Sequence, residues 1–116
     1  MAAVSEREGH PRWAEDAPDP SSYRAPPGRA RAEVVREQDE AAGGHDRRLV
    51  RLEDGAEATA SVELKFLGGR RVYAYLRYSA GGRTINEYIG EAPGSSRLER
   101  LARAWSRAFE SGLLRK

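Results

Sequence analysis

The chain has 116 residues and a formal net charge of +2, which is enough for one small domain with tails. It contains no cysteine, so a disulfide framework and a thiolate metal site are both excluded. No apolar run approaches the roughly 18 residues that span a bilayer, and the N-terminus lacks an apolar targeting stretch, so we expect a cytoplasmic protein without membrane contact.

The charge is distributed unevenly along the chain. Residues 1–61 carry nine Arg and thirteen acidic residues, a net charge of −4, whereas residues 62–116 carry eleven basic and five acidic residues, a net charge of +6. A small basic domain attracts polyanions such as nucleic acid. The alternative is compositional, because 18 of the 20 basic residues are Arg, as a GC-rich genome produces without selection for phosphate binding.

Residues 1–61 are predicted to be a disordered or weakly structured tail and linker. The stretch from Met1 to about Gly44 holds five of the six prolines and few large aliphatic residues. Such a stretch buries too little apolar surface to offset its ordering entropy. Trp13 and Tyr23 are lone aromatic residues in this tail. Either could be a docking anchor for a partner, but we favour the interpretation that both are incidental.

Two segments of this region carry weak structural signals. Residues 30–42 (ARAEVVREQDEAA) contain good helix formers but only Val34 and Val35 as apolar anchors, which indicates at most a frayed or partner-induced helix. Residues 48–53 alternate weakly and are followed by an Asp-Gly turn signal, so they are either an edge strand or the end of the linker. The linker interpretation is favoured.

Residues 62–116 are predicted to form a small β-β-β-α domain of the α+β class. Apolar and polar residues alternate from Val62 to Phe66 and again over residues 72–78, and a third strand follows over 83–89. Gly81-Gly82 suits a two-residue hairpin turn, which would pair Arg77 with Asn86 and Tyr75 with Tyr88. A loop over residues 68–70 would likewise set Leu64 opposite Ala74 and Phe66 opposite Val72.

The C-terminal segment has the signals of an amphipathic helix. Ser96 and Glu99 fit a capping box, and Gly112 stands where a C-terminal cap belongs. The predicted apolar stripe, which covers the sheet, consists of Leu98, Leu101, Ala102, Trp105, Ala108 and Phe109. Four arginines lie off this stripe and either contact phosphates or form the solvated side: Arg97, Arg100, Arg103 and Arg107.

The inventory of reactive side chains argues against an enzyme. His10 and His45 are far apart and have no partner at metal-ligand spacing, so neither a metal site nor a His-based triad is supported. No carboxylate pair has the spacing of a general acid and base, and no glycine motif has the form of a phosphate-binding loop. We therefore predict no catalytic residue, no metal and no cofactor.

The polar face of the predicted sheet carries the candidate site. It combines planar groups that stack or form hydrogen bonds with phosphate-binding cations, a combination typical of nucleic-acid contact. The alternative is that tyrosine and threonine are simply good strand formers on a solvated face. The candidate nucleic-acid-binding residues are Lys65, Arg70, Arg71, Tyr73, Tyr75, Arg77, Arg83, Thr84, Asn86 and Tyr88.

Residues 75–78, 81–83 and 88–90, with the capped helix after them, resemble the three-stranded sheet plus helix of the arm-type DNA-binding domain of tyrosine recombinases. N-terminal modules of some insertion-sequence transposases and the plant ethylene-response-factor domain are similar. The resemblance covers residues 62–109 and implies a sheet that lies in the major groove of DNA. It implicates Arg77, Arg83, Tyr75 and Asn86 in the contact.

Two features depart from these modules. The residues after the helix are too few for a recombinase or transposase catalytic domain, and the third strand contains Glu87, whose charge is expected to weaken phosphate contact. The sequence therefore predicts a non-enzymatic DNA-binding protein. One alternative is a protein-interaction module that docks a partner through the tyrosine-rich face, and another is RNA binding by base stacking on the same tyrosines.

Overall fold

The computed structural model describes residues 17–114, which contain two helices and two antiparallel sheets. This confirms the predicted α+β class and the three-stranded sheet with a C-terminal helix. Helix α1 is Arg31–Ala42 and helix α2 is Arg97–Glu110, and short 3-10 turns lie at Pro20–Ser22 and His45–Arg48. Strands β1 (Leu49–Arg51) and β2 (Glu57–Thr59) form a small hairpin, and the larger sheet has the order β3 (Ser61–Phe66), β4 (Val72–Ala80) and β5 (Arg83–Glu91).

The predicted strand pairing of the larger sheet is confirmed. Arg77 pairs with Asn86 and Tyr75 with Tyr88 across β4 and β5. On the other side of β4, Leu64 pairs with Ala74 and Phe66 with Val72. The β4–β5 turn consists of Gly81 and Gly82 with φ angles of +61° and +78°, the conformation that a two-residue hairpin requires and that glycine adopts without steric cost.

One irregularity of the larger sheet is not predicted from the sequence. Strand β5 contains a β-bulge, because Tyr75 pairs with Tyr88 but the preceding residue, Ala74, pairs with Gly90. Gly90 has a φ of +146°, which side-chain-bearing residues rarely adopt. A bulge inserts one residue and shifts the alternation of faces, so Glu91 lies opposite Tyr73 rather than continuing the apolar row.

Helix α2 seals the apolar face of the sheet. The hydroxyl of Ser96 accepts the N–H of Glu99 at 3.1 Å, and Gly112 follows the helix with a φ of +73°, as the capping signals predict. Trp105 and Leu101 are fully buried against the sheet, together with Ala104 and Ala108. The predicted stripe needs one correction: Leu98 is 39% exposed.

The N-terminal half is built into the same core, which corrects the prediction of a tail and linker up to residue 61. Ala41, Ala42 and Val50 are buried in the core cluster, and residues 49–51 form a strand rather than a linker. The Tyr23 ring is 7% exposed and its centre lies 5.4 Å from that of Phe66, so this tyrosine is a packing residue. The predicted disorder of residues 1–16, with Trp13 and His10, lies outside the described residues.

Helix α1 is anchored by one buried amide. The Gln38 side chain accepts the backbone N–H of Val62 and donates to the carbonyl of the same residue, both at 3.0 Å. Its oxygen also accepts the indole N–H of Trp105 at 3.2 Å. Gln38 is 4% exposed, so these three hydrogen bonds form almost out of reach of water. The predicted frayed helix is thus a docked helix that joins β3 to α2.

Two of the four helix arginines hold the N-terminal segment and do not face solvent freely. Arg97 pairs with Glu37 at 3.0 Å and donates to the backbone carbonyl of Tyr23. Arg100 is 7% exposed and donates to the hydroxyl of Ser22 at 3.4 Å and to the carbonyl of Ala92 at 2.6 Å. A buried guanidinium that binds backbone oxygens cannot reach a phosphate. Arg103 and Arg107 are exposed.

Candidate functional site

The polar face of the β3-β4-β5 sheet lies opposite helix α2. Its alternation follows from the register, because Val72, Ala74 and Leu76 point into the core and the intervening residues of β4 point away. The strands bring seven of the ten predicted site residues together on this face, and five of them are exposed. The seven are Lys65, Tyr73, Tyr75, Arg77, Thr84, Asn86 and Tyr88, of which all but Tyr73 and Tyr75 are exposed.

Three tyrosines form a cluster on this face. The ring of Tyr88 lies 5.5 Å from that of Tyr75, edge to face, and 6.3 Å from that of Tyr73, measured between ring centres. The Lys65 ammonium lies 4.9 Å from the centre of the Tyr75 ring, within cation–π range. Tyr88 is 57% exposed, so its ring is available to a ligand while the other two support it.

Arg77 and Asn86 stand side by side in the middle of the face. They are directly paired across β4 and β5, so both side chains project in the same direction. A guanidinium can donate two parallel hydrogen bonds to guanine, and an amide can donate to and accept from adenine. The pair can therefore form hydrogen bonds with base edges.

Arginines lie at both ends of the strands that form the face. Arg70 and Arg71 belong to the loop between β3 and β4, and Arg83 opens β5 directly after the turn. All three residues are exposed. The nine residues of β4 separate the two ends by about 27 Å, at the usual rise per residue of a strand. Arg70 and Arg71 thus flank the central face instead of joining it. Arg83 pairs with Ala80 and leaves the sheet on the side of Tyr78 and Ile85, at the turn, which corrects its assignment to this face.

Sequence reasoning missed a carboxylate on this face. Glu63 pairs with Tyr75 across the sheet and lies between two site cations, 3.6 Å from a guanidinium nitrogen of Arg77 and 3.6 Å from the Lys65 ammonium. Strand alternation alone places it beside Lys65, two residues away. The centre of the face is consequently less positive than the list of predicted site residues implies.

A second carboxylate reaches the face through the bulge. Glu91 lies 3.9 Å from Arg71, next to Tyr73. With regular alternation after Ile89, the Glu91 side chain would point into the core. The glycine at position 90 is the local feature that could indicate the bulge and hence the position of Glu91. Among residues 17–114, the face and its flanking loop thus carry four cations and two carboxylates: Lys65, Arg70, Arg71 and Arg77 against Glu63 and Glu91.

Glu87 does not belong to this face, which corrects the expectation that its charge opposes phosphate contact. It pairs with the buried Leu76, on the opposite side of the sheet. Its carboxylate accepts a hydrogen bond from the hydroxyl of Tyr78 at 3.1 Å. The residue therefore satisfies a polar group at the margin of the core.

Asp39 binds two basic side chains away from this face. His45 lies 3.0 Å from Asp39, whose other partner is the buried Arg48 at 2.7 Å. The hydrogen bonds from Arg48 and His45 hold the pKa of Asp39 below its ordinary value. Among residues 17–114, no group of three or more His, Asp or Glu side chains has the geometry of a metal site, and neither helix is long and apolar enough to cross a membrane.

Comparison with known proteins adds no functional assignment. No protein-family model, curated protein or solved structure matches the chain.

Proposed function

We propose that the protein is a non-enzymatic DNA-binding protein of the cytoplasm that contacts the duplex through the polar face of its three-stranded sheet. The observation that carries this proposal is the order of chemistry along that face. Groups able to form hydrogen bonds with bases, Arg77 and Asn86, lie in its centre. The exposed Arg70 and Arg71 lie at one end of the face, and the exposed Arg83 lies beside the turn at the other end of the sheet.

Each part of the face suits a part of the duplex. The major groove admits a small sheet, and the central pair then meets base edges. Arg70, Arg71 and Arg83 meet the phosphates that border the groove, where their role is positioning. Tyr88 offers an exposed ring for apolar or stacking contact. The resemblance to the arm-type domains of tyrosine recombinases agrees with this placement, including the use of Arg77, Arg83, Tyr75 and Asn86.

A second candidate is a protein partner that docks on the tyrosine cluster. The observation in its favour is Glu63, which pairs with Arg77 and Lys65 and reduces the positive charge at the centre of the face. An interface of this kind uses aromatic rings, which are enriched in protein–protein contacts, instead of phosphate charge.

The test measures binding to duplex DNA, single-stranded DNA and RNA over a salt series. We expect duplex binding to weaken linearly with the logarithm of salt concentration, because phosphate contacts release counterions. Arg77→Ala should cost about 1–3 kcal/mol and relax sequence preference, whereas Arg83→Ala should weaken all sequences alike and reduce the salt slope by about one unit. Both variants should melt like the parent, since both side chains are exposed.

Arg51→Ala is the matched control. Like Arg77, Arg51 is an exposed strand arginine with one carboxylate nearby, Glu57 at 3.8 Å, but it lies on the separate β1–β2 hairpin. Its removal changes net charge by the same amount and should leave DNA affinity within about twofold, the size expected for a distant exposed charge.

Glu63→Gln separates the two candidate functions. For DNA binding, loss of this carboxylate should raise affinity several-fold, because a negative charge that repels the duplex is removed and Arg77 and Lys65 lose a competing partner. The DNA proposal is refuted, and the protein partner favoured, by either of two results. One is negligible affinity for the duplex at low salt, and the other is a duplex affinity that none of Arg77→Ala, Arg83→Ala and Glu63→Gln changes. Preference for RNA over both DNA forms would instead assign the tyrosines to base stacking.

A further inference from the structure

Strand β3 is an edge strand, and the N-terminal half closes only part of that edge. The first outward position is Ala60, just before the strand: its N–H donates to the carbonyl of Arg48 at 2.8 Å, and its carbonyl accepts from the Arg48 side chain at 2.9 Å. The next is Val62, whose N–H and carbonyl are both bound by Gln38. At these two positions, neighbouring residues take the place of a fourth strand.

The outward positions that follow are Leu64 and Phe66. In an antiparallel pair, the backbone groups of alternate residues point to the same side, so the N–H and carbonyl of both residues point away from β4, as those of Val62 do. Within residues 17–114, no group hydrogen-bonds to them from outside the sheet. An exposed row of this kind is a template for pairing with another strand.

A groove of about 690 Å³ runs along this open part of the edge. One wall is β3 itself, and the other is the segment 23–25, where Tyr23 packs on Phe66. The groove ends at Leu67, which is 65% exposed and offers an apolar contact. An extended chain is the shape that fits between two such walls.

The charge of the groove defines its occupant. Among the described residues that line it, the cations are Arg24, Lys65, Arg77 and Arg97 and the one carboxylate is Glu63; Arg97 is already paired with Glu37, so the other three supply the excess of positive charge. A groove with this excess of positive charge favours an anionic ligand, and backbone pairing requires a peptide.

We propose that the open edge of β3 is a β-strand addition site for an extended acidic segment of a partner protein. The segment pairs with the backbone of Leu64 and Phe66, and its carboxylates face the groove cations. A second copy of this chain is a poorer fit. Antiparallel pairing of two β3 strands about Leu64 needs the backbone of Val62, which Gln38 already occupies, and pairing about Lys65 brings together two grooves with the same excess of positive charge. This site is additional to the proposed DNA contact and does not depend on it.

The test uses a fluorescent peptide of alternating glutamate and valine, with the lysine and valine peptide as its charge control. Binding is measured by anisotropy to the full chain and to Leu64→Pro and Leu64→Ala. Both variants lose the leucine side chain, but only proline removes the outward N–H, and proline is tolerated where that N–H faces away from the ladder. We expect the glutamate peptide to bind Leu64→Pro about tenfold more weakly than Leu64→Ala, the loss of one backbone hydrogen bond.

Amide exchange of the unmodified chain provides a second readout that does not depend on the folding of the proline variant. Saturating glutamate peptide should slow exchange at Leu64 and Phe66 and leave Glu63 and Lys65, which already pair with β4, nearly unchanged. The proposal would be overturned if the glutamate peptide bound Leu64→Pro and Leu64→Ala equally and did not slow amide exchange at Leu64 and Phe66. The interaction would then be charge attraction without strand pairing. Protection that depends on protein concentration in the absence of peptide would overturn it in favour of self-association.

Discussion

Replacement of Gln38 by leucine tests how the N-terminal half is held to the sheet. Leucine has a similar volume but leaves three groups without their partner: the N–H and carbonyl of Val62 and the indole N–H of Trp105. Val62 is 2% exposed and Trp105 is fully buried, so water replaces these bonds poorly. An unsatisfied buried polar group costs about 1–3 kcal/mol, and the leucine side chain recovers part of the loss by apolar burial.

We therefore expect Gln38→Leu to lower the free energy of unfolding by roughly 3–5 kcal/mol, a large part of the 5–15 kcal/mol typical of a domain. The assay is urea denaturation followed by circular dichroism. Trp105→Phe supplies the control, because it removes the indole N–H and keeps an aromatic ring. In that background Gln38→Leu should cost about 1–2 kcal/mol less, since one of the three groups is gone. A cost below about 1 kcal/mol, or strict additivity of the two substitutions, would refute the proposed network.

Two further predictions concern the core and the N-terminal clamp. Trp105→Ala should destabilise the protein by about 3–5 kcal/mol, because the indole fills the centre of the interface between α2 and the sheet, and a melting temperature within a degree or two of the parent's would contradict this. Burial raises the pKa of Glu37, but the hydrogen bonds from Arg97 and Arg29 outweigh it and hold that pKa below 4.5. A lowered pKa contributes stability that is present above pH 4.5 and lost as pH falls through the folded value, so Glu37→Gln should be destabilising at neutral pH and equal to the parent in strong acid. A difference between the two proteins that is independent of pH would argue against the clamp.

The part of the fold that the sequence predicts is the part governed by local rules. Gly81-Gly82 and the alternation of β4 and β5 determine the hairpin, and hence the pairing of Arg77 with Asn86. The capping residues of α2 likewise act within a few positions of the helix ends. These signals require no knowledge of distant contacts, which explains why the register and the helix follow from the sequence.

The N-terminal half could not be predicted in this way because its anchors are polar or small. Gln38 and Arg48 belong to residue types that are usually solvated. Their burial is favourable because both bind backbone groups along the edge of β3, and because Arg48 also pairs with Asp39 and Gln38 with the indole of Trp105. The apolar contribution of the segment comes largely from residues such as Ala41 and Val50, which give a weak periodic signal. The bulge at Gly90 could not be predicted either. One extra residue in β5 moves Glu91 to the candidate face, and the alternation of nearby residues does not indicate this shift.

The two proposed surfaces share cations, and this couples them. Lys65 and Arg77 lie on the polar face of the sheet and also line the groove along β3. An acidic segment in the groove would place its carboxylates near the guanidinium that is assigned to the bases, beside the carboxylate of Glu63 that is already 3.6 Å away. These carboxylates repel the DNA phosphates. Salt screens the repulsion only in part where the separation is shorter than the Debye length of about 8–10 Å. If both sites operate, a partner at the edge opposes DNA at the face by charge alone, without any change in the fold.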